Sequence, residues 1–295
     1  MDAASVQPRF EPRLARRKLY GTIFYGLCIL AVAILILAIL ILLVDVFIRA
    51  LPWLSLDFIT GVPSRRAAEA GIWPAILGSL LIVGLATVFA FPIGLAAAIY
   101  LEEYASDTRT NRLLRTNISN LSGVPSIVYG IFGLAIFVRA LSLGYTPLSA
   151  ALTLALLILP VVIIVTMEAL RAVPRAQREG AYALGATRWQ VTARAVLPAA
   201  WGGILTGIIL ALARAIGETA PLILVGAAGF VTFAPSVLGE GFTVLPMQIF
   251  QWAGLPQADF QGLAAAAIVV LLVMLLLLNA VALLLRARLG RHIQW

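Results

Sequence analysis

A chain of 295 residues that is 62% hydrophobic and only 12% charged, with a mean hydropathy of +1.03, carries about half the charge of an ordinary soluble domain and reads as an integral membrane protein. In that setting the formal charge of +8 fixes topology rather than binding nucleic acid. Lys18 is the only lysine and is not part of a GxxxxGK[ST] phosphate loop, His292 is the only histidine, and Cys28 the only cysteine; an ATP-binding P-loop, a histidine zinc cluster and an intrachain disulfide are thereby excluded, and a Ser-His-Asp triad is disfavoured.

In chain order, residues 1–19 hold Arg9, Arg13, Arg16, Arg17 and Lys18 with Pro8 and Pro12 and read as a basic cytoplasmic tail. The apolar run 20–47 is about twice as long as the ~7–15-residue apolar region of a secretory signal, and reads as a retained first transmembrane anchor helix. The polar stretch 48–74 is expected as an external loop. A second span is expected over 75–100 with Pro92 as a kink, and a third over 117–141, opening on GVPSIVYG (residues 123–130). A fourth is expected over 148–167 with Pro160 inside it, a fifth over 201–225, and a sixth over 262–285.

The alternating ten-residue segments of a β-barrel are absent, so the fold class is all-α and polytopic, with about six transmembrane helices. Trp53, Trp73 and Trp252 suit an outer aromatic belt. Cys28 and Met274 read as packing residues, and Asp45 and Glu168 as side chains reaching the interface from span ends.

Charge placement orients the map. With the N-terminus inside, the basic tail, Arg109, Arg112 and Arg115, the arginines from Arg171 to Arg194, and Arg286, Arg288 and Arg291 all fall on the inner side. Only Arg49, Arg65, Arg66 and Arg139 fall outside. Positive-inside bias then puts both termini of this multi-pass membrane protein in the cytoplasm.

Between the fourth and fifth spans lies a polar, Ala-rich stretch, residues 174–198. Pro174 and Gly185 punctuate one short helix, Thr187 is placed to cap a second, and Pro198 is expected to end or bend it on re-entry. Ala176, Gly180 and Ala183 put small side chains on one face of the first helix. Spacing alone is equally consistent with an amphipathic connector and with a docking element.

The residues Glu179, Gly180, Ala181, Gly185, Leu197 and Pro198 resemble the E-A-A-x3-G-x9-I-x-L-P loop of ABC importer permeases, with Gly180 in place of Ala and Ala195 in place of Ile. IYLEEYA (99–105), VPSIVYGIFG (124–133), YALGATRWQ (182–190), LARAIGETAPLILVG (212–226) and LPMQIFQWA (245–253) resemble, more narrowly, the PstA-type permeases of bacterial phosphate ABC importers. The resemblance implies a type I ABC importer permease fold, with a permease core over 75–285 and a cytoplasmic coupling helix within 174–198. It also implies a non-catalytic role, with ATP and Mg2+ bound by a partner chain and no cofactor on this one. The implied partners are a paralogous PstC-type permease, two PstB-type ATPase subunits and a PstS-type phosphate-binding protein. The implied cargo is inorganic phosphate, with another oxyanion such as sulfate or molybdate as the alternative; an ion-coupled secondary transporter and a membrane enzyme are the remaining readings.

Arg214 lies inside the fifth expected span, where a guanidinium costs ~2.5–3.5 kcal/mol on insertion scales, with Glu218 one turn on. At 100° per residue, Gly203, Gly207, Leu210, Arg214, Gly217, Glu218 and Pro221 share one face, and the isoleucines fall mainly on an opposite, lipid-like side. The pair is either a structural ion pair that packs the helix through its glycine face or part of a substrate path. In the second case Arg214 offers its fork of donors to an anion and Glu218 holds it neutralised until the path opens.

Overall fold

The computed structural model describes residues 14–227 and 230–290; the basic tail up to residue 13 and the C-terminal residues 291–295 lie outside the described residues. Among the described residues the chain is helical apart from connectors and one isolated Ala227–Phe242 bridge. Among those residues five helices are long and apolar enough to cross a membrane, six if one bent pair counts as a span.

The chain divides into two compact units, one ending at Ile48 and the other beginning at Arg49. The first consists, among the described residues, of helix α1, Leu14–Ala50, up to Ile48; the helix takes in residues 14–19 of the expected tail as well as the expected anchor. Apolar residues run around its whole circumference, as contact with lipid requires, and Cys28 is exposed rather than packed.

The second unit opens with a short helix, α2 (Leu56–Thr60), capped by the Ser55 hydroxyl, which accepts from the Phe58 N–H. Helix α3, Trp73–Ile99, starts with Pro74 in its first turn and continues through a π-helical turn, Tyr100–Tyr104. Two further helices follow: α4 (Arg109–Ser122), capped by Thr108, and α5 (Ser126–Gly133), which runs on as a π-helical segment to Ala140. Helix α6, Pro147–Arg171, is capped by Thr146 and is the central post, buried along most of its length.

Beyond α6 come α7 (Arg175–Ala183), α8 (Arg188–Val191), α9 (Leu197–Ile216), α10 (Ala220–Leu224), α11 (Leu245–Ala253) and α12 (Ala258–Gly290). Small residues set the spacing of the main helices, because in lipid close van der Waals packing takes the place of a hydrophobic drive between helices. Ile82, Ala86, Ala90, Gly94 and Ala98, four residues apart on α3, are all buried. They face the buried α6 ridge of Ala150, Leu154, Ile158 and Val162, a ridge-into-groove arrangement. A Cβ at Gly94 would lie 2.6 Å from a Val162 methyl, and one at Gly207 of α9 would lie 2.4 Å from a Val165 methyl on α6.

Four expectations are corrected. The third span is not a straight helix over 117–141: α4 and the helix from Ser126 to Ala140 meet at 101°, because Pro125 cannot continue the α4 ladder and the intervening residues are Gly123 and Val124. The fifth span does not reach Val225 but ends at Ile216, with Gly217 as its cap. Pro198 does not end a separate helix: residues 188–216 form one span, with a π-helical turn at Thr192–Val196 shortly before the proline that lacks an N–H. Finally, the isoleucine side of α9 does not face lipid. Ile204, Ile208 and Ile216 are buried with Ala211 and Ala215, while Leu210 and Arg214 are exposed.

The outer aromatic belt is also only partly as expected. Trp252 is 4% exposed, with its ring 6.1 Å from that of Phe58 and 6.5 Å from that of Phe260. The LPMQIFQWA segment that contains it is helix α11, fastened to α3 where the Leu245 N–H donates to the Ser79 hydroxyl at 2.8 Å.

The glycine packing has a direct test. Gly207→Leu should force α9 away from α6 and lower stability by about 1–3 kcal/mol, read as earlier thermal unfolding in detergent. Gly202→Leu, where a Cβ meets nothing within 4 Å, should leave the midpoint unchanged.

Candidate functional site

The two groups of candidate residues occupy the two ends of one helical rod. At its start, the polar stretch folds as α7, a turn, and α8. Helix α7 ends in a Schellman arrangement: the Ala186 N–H donates to the Ala181 carbonyl and the Gly185 N–H to the Tyr182 carbonyl, at 3.2 and 2.9 Å. Gly185 sits at φ +80°, a left-handed conformation that a side chain would strain. Thr187 then caps α8 through a full capping box, its hydroxyl accepting from the Gln190 N–H while the Gln190 side chain accepts from the Thr187 N–H.

The fixed positions of the stretch separate by side. Glu179, Gly180 and Gly185 are exposed, and Ala176 and Ala183 beside Gly180 are exposed as well, so the small face of α7 is open. Ala181 and Leu197 turn inward and pack on the cluster formed by Leu170, Val173, Val191, Val196 and Ile204. Pro198 is half-buried in the first turn of α9. Sequence reasoning missed Leu184, which is 90% exposed. With Tyr182 and Trp189 it makes an apolar fringe around the turn; an apolar residue directly before the terminating glycine was the available signal.

At the other end of the rod, Arg214 lies in the last turn of α9 and Glu218 just beyond the Gly217 cap. The Arg214 Nε is 3.5 Å from the Glu218 Oε1, with side-chain exposures of 51% and 16%. The pair therefore exists, but at a helix break rather than mid-helix, and the guanidinium is half open. Its Nε faces Glu218, leaving the terminal nitrogens of the fork for other acceptors.

A second break stands next to this one. A Cβ at Gly130 of α5 would lie 2.7 Å from the Pro221 Cα of α10, so the segment after Pro125 is laid directly against the segment after Gly217. Tyr129 of α5 donates to the Leu121 carbonyl across the first break at 2.8 Å. The VPSIVYG (124–130) and GETAP (217–221) motifs, far apart in sequence, thus form one junction of two interrupted helices. Interrupted helices inside a membrane protein are tolerated where the freed backbone is buried in protein or lines a polar path.

Comparison with known proteins agrees with this architecture. Residues 90–294 match the family model described as "Binding-protein-dependent transport system inner membrane component". The chain is 34% identical to the phosphate transport system permease protein PstA of Haemophilus influenzae, over 84% of this chain and 87% of that one. It is 36% identical to the protein of the same name from Xylella fastidiosa, over 73% and 75%. Among solved structures, a chain of the bacterial alginate ABC transporter superposes with a TM-score of 0.66 at 16% identity, covering 94% of this chain and 98% of that chain, a likeness of fold. A membrane-spanning all-helical core, an exposed small-faced helix between two spans, and sequence likeness over most of the chain lead to one assignment: this chain belongs to the family of binding-protein-dependent transport system inner membrane components, the membrane-spanning, non-catalytic permeases of ABC importers.

Proposed function

We propose that this chain is the permease subunit of an ATP-driven importer of inorganic phosphate. In this reading it pairs with a PstC-type permease to enclose the path, seats the small face of α7 on a PstB-type ATPase subunit, and receives phosphate from a PstS-type binding protein at the α11 end. ATP and Mg2+ belong to the ATPase, and no cofactor is held by this chain. With the bent pair counted as one span, the spans are even in number; both termini and α7 are then cytoplasmic, in line with the arginine distribution.

The observation that carries the reading is the continuous 29-residue helix from Arg188 to Ile216. At 1.5 Å per residue it is a rod of about 43 Å, with the exposed α7–α8 turn at one end and the Arg214–Glu218 pair at the other. A displacement applied to α8 meets no break in the helix before Gly217. Phosphate as cargo is supported by the two relatives above, and a planar guanidinium with free terminal nitrogens suits a tetrahedral oxyanion. Glu218 holds Arg214 at the break and neutralises it until an anion competes for the fork.

The assembly itself is tested by purification from native membranes. The second permease, the ATPase and the binding protein should co-purify, and phosphate-loaded binding protein should stimulate ATP hydrolysis while sulfate- and molybdate-binding proteins do not; stimulation by either of the latter instead would replace phosphate as cargo.

Two substitutions test the ends of the rod. Arg214→Ala and Glu218→Ala should each lower phosphate uptake by about tenfold or more, equivalent to ~1.4 kcal/mol of lost stabilisation, with the complex still assembled; wild-type uptake would reduce the pair to a packing role. At the other end, Gly185→Pro replaces φ +80° by a residue fixed near −65° and should separate ATP hydrolysis from uptake while the spans remain inserted. Fully coupled transport by that variant would remove α7 from the coupling role.

A further inference from the structure

The π-helical end of α3 holds more charge than a span terminus needs. In this turn the Ala105 N–H reaches back to the Tyr100 carbonyl at 2.8 Å, and three consecutive side chains, Glu102, Glu103 and Tyr104, take arginines from four other elements. Glu102 Oε2 lies 3.0 Å from Arg115 of α4 and 2.9 Å from Arg171 at the end of α6. Arg115 also donates to the Leu101 carbonyl. Glu103 Oε1 lies 2.9 Å from Arg178 of α7, with side-chain exposures of only 8% and 20%. The Arg188 guanidinium of α8 sits 5.0 Å above the Tyr104 ring.

Arg178 is the most constrained of the four. Besides Glu103 it donates to the Val173 carbonyl at 2.7 Å and to the Leu170 carbonyl at 2.8 Å, so a single guanidinium from α7 satisfies the open end of α6 and ties it to α3. Charge-assisted bonds of this kind, screened from water, are among the strongest side-chain links available. The covalent links of α7 are weak by comparison: a short connector, Ala172–Pro174, on one side and the Gly185 turn on the other. A push on α7 carried only by the chain would be taken up in those two connectors.

We propose that Glu102, Glu103 and Tyr104 form a clasp that carries displacement of α7 and α8 into the membrane helices, as positioning residues for energy coupling. This rests on the reading of α7 as the surface an ATPase partner moves. Through Glu103–Arg178 the movement enters α3 and α6, which are locked together by the Gly94–Val162 approach. Through Glu102–Arg115 it enters α4, whose far end is the break before α5 and hence the junction of Gly130 with Pro221. The clasp gives the coupling surface a second route to the Arg214 junction, parallel to the α8–α9 rod. It also accounts for inner-side arginines that charge bias alone would leave solvated.

The test uses the complete importer in proteoliposomes with its phosphate-binding protein, measuring ATP hydrolysed and phosphate accumulated together. Glu103→Gln should retain ATP hydrolysis and lower phosphate imported per ATP at least about fivefold, the lower range of a coupling interaction. In a Cys28→Ser background, Glu103→Cys with Arg178→Cys should show the same loss, and a short bifunctional thiol cross-linker bridging the two should restore the ratio. A wild-type ratio in Glu103→Gln, or a bridged pair that remains uncoupled, overturns the clasp. If Glu103→Gln does not assemble, Arg178→Lys, which keeps the charge and loses the three-acceptor fork, should assemble with a lowered ratio; a wild-type ratio there, or failure of both to assemble, makes these residues folding elements only. Wild-type vesicles that import no phosphate while their ATPase still responds to a binding protein would sink the phosphate assignment and not the clasp.

Discussion

Within hydrocarbon a backbone N–H or C=O has no partner except its own chain, and each one left open costs several kcal/mol. That constraint makes helices obligatory here and gives each interruption a meaning. In the membrane core the helix is interrupted at Gly123–Pro125 and at Gly217–Thr219, and the two interruptions are packed on one another through Gly130 and Pro221. Neither is left facing lipid unsupported: the Tyr129 hydroxyl spans the first, and the Gly217 and Glu218 N–H groups fold back on Arg214 and Ala215 at the second. A junction of this kind can exchange one set of satisfied bonds for another, which an unbroken helix cannot.

Around that junction the molecule is built from stiff parts joined at few points. Small residues bring α3, α6 and α9 so close that a methyl group cannot be added at Gly94 or Gly207 without displacement, and close-packed interfaces move as bodies rather than deform. The run formed by α8 and α9 continues through Pro198 as one helix, with a π-helical turn at Thr192–Val196 just before it. Stiffness along the rod and bond exchange at its end are complementary requirements for a chain whose energy is supplied from outside.

Electrostatics divide in the same way. Arg115, Arg171 and Arg178 meet carboxylates of one π-helical turn and serve to hold elements together. Arg214 instead meets a carboxylate of its own segment, Glu218 four residues on, beside the Gly217 break. Where the partner sits, on another element or on the same one, distinguishes the fastening arginines from Arg214; Arg171 and Arg214 are equally exposed.

Several features follow from local sequence because their causes are local. Apolar length placed α1, α3, α6 and α12; Thr187 with Gln190, and Gly185 after α7, specified a cap and a turn from neighbouring residues; the i, i+4 spacing of Arg214 and Glu218 put them within reach of each other. Tertiary structure decided the rest. In a membrane helix both the packed and the lipid-facing sides are apolar, so periodicity could not tell that Ile204 and Ile208 point inward. The 101° bend at Pro125 required knowing what α5 packs against, and Trp252 became a core residue only when Phe58 and Phe260 closed on it. The partners of Glu102 and Glu103, sixty-nine and seventy-five residues away, were invisible to any local pattern, because a charge pair at that separation is created by the fold that brings α3, α6 and α7 to one end of the molecule.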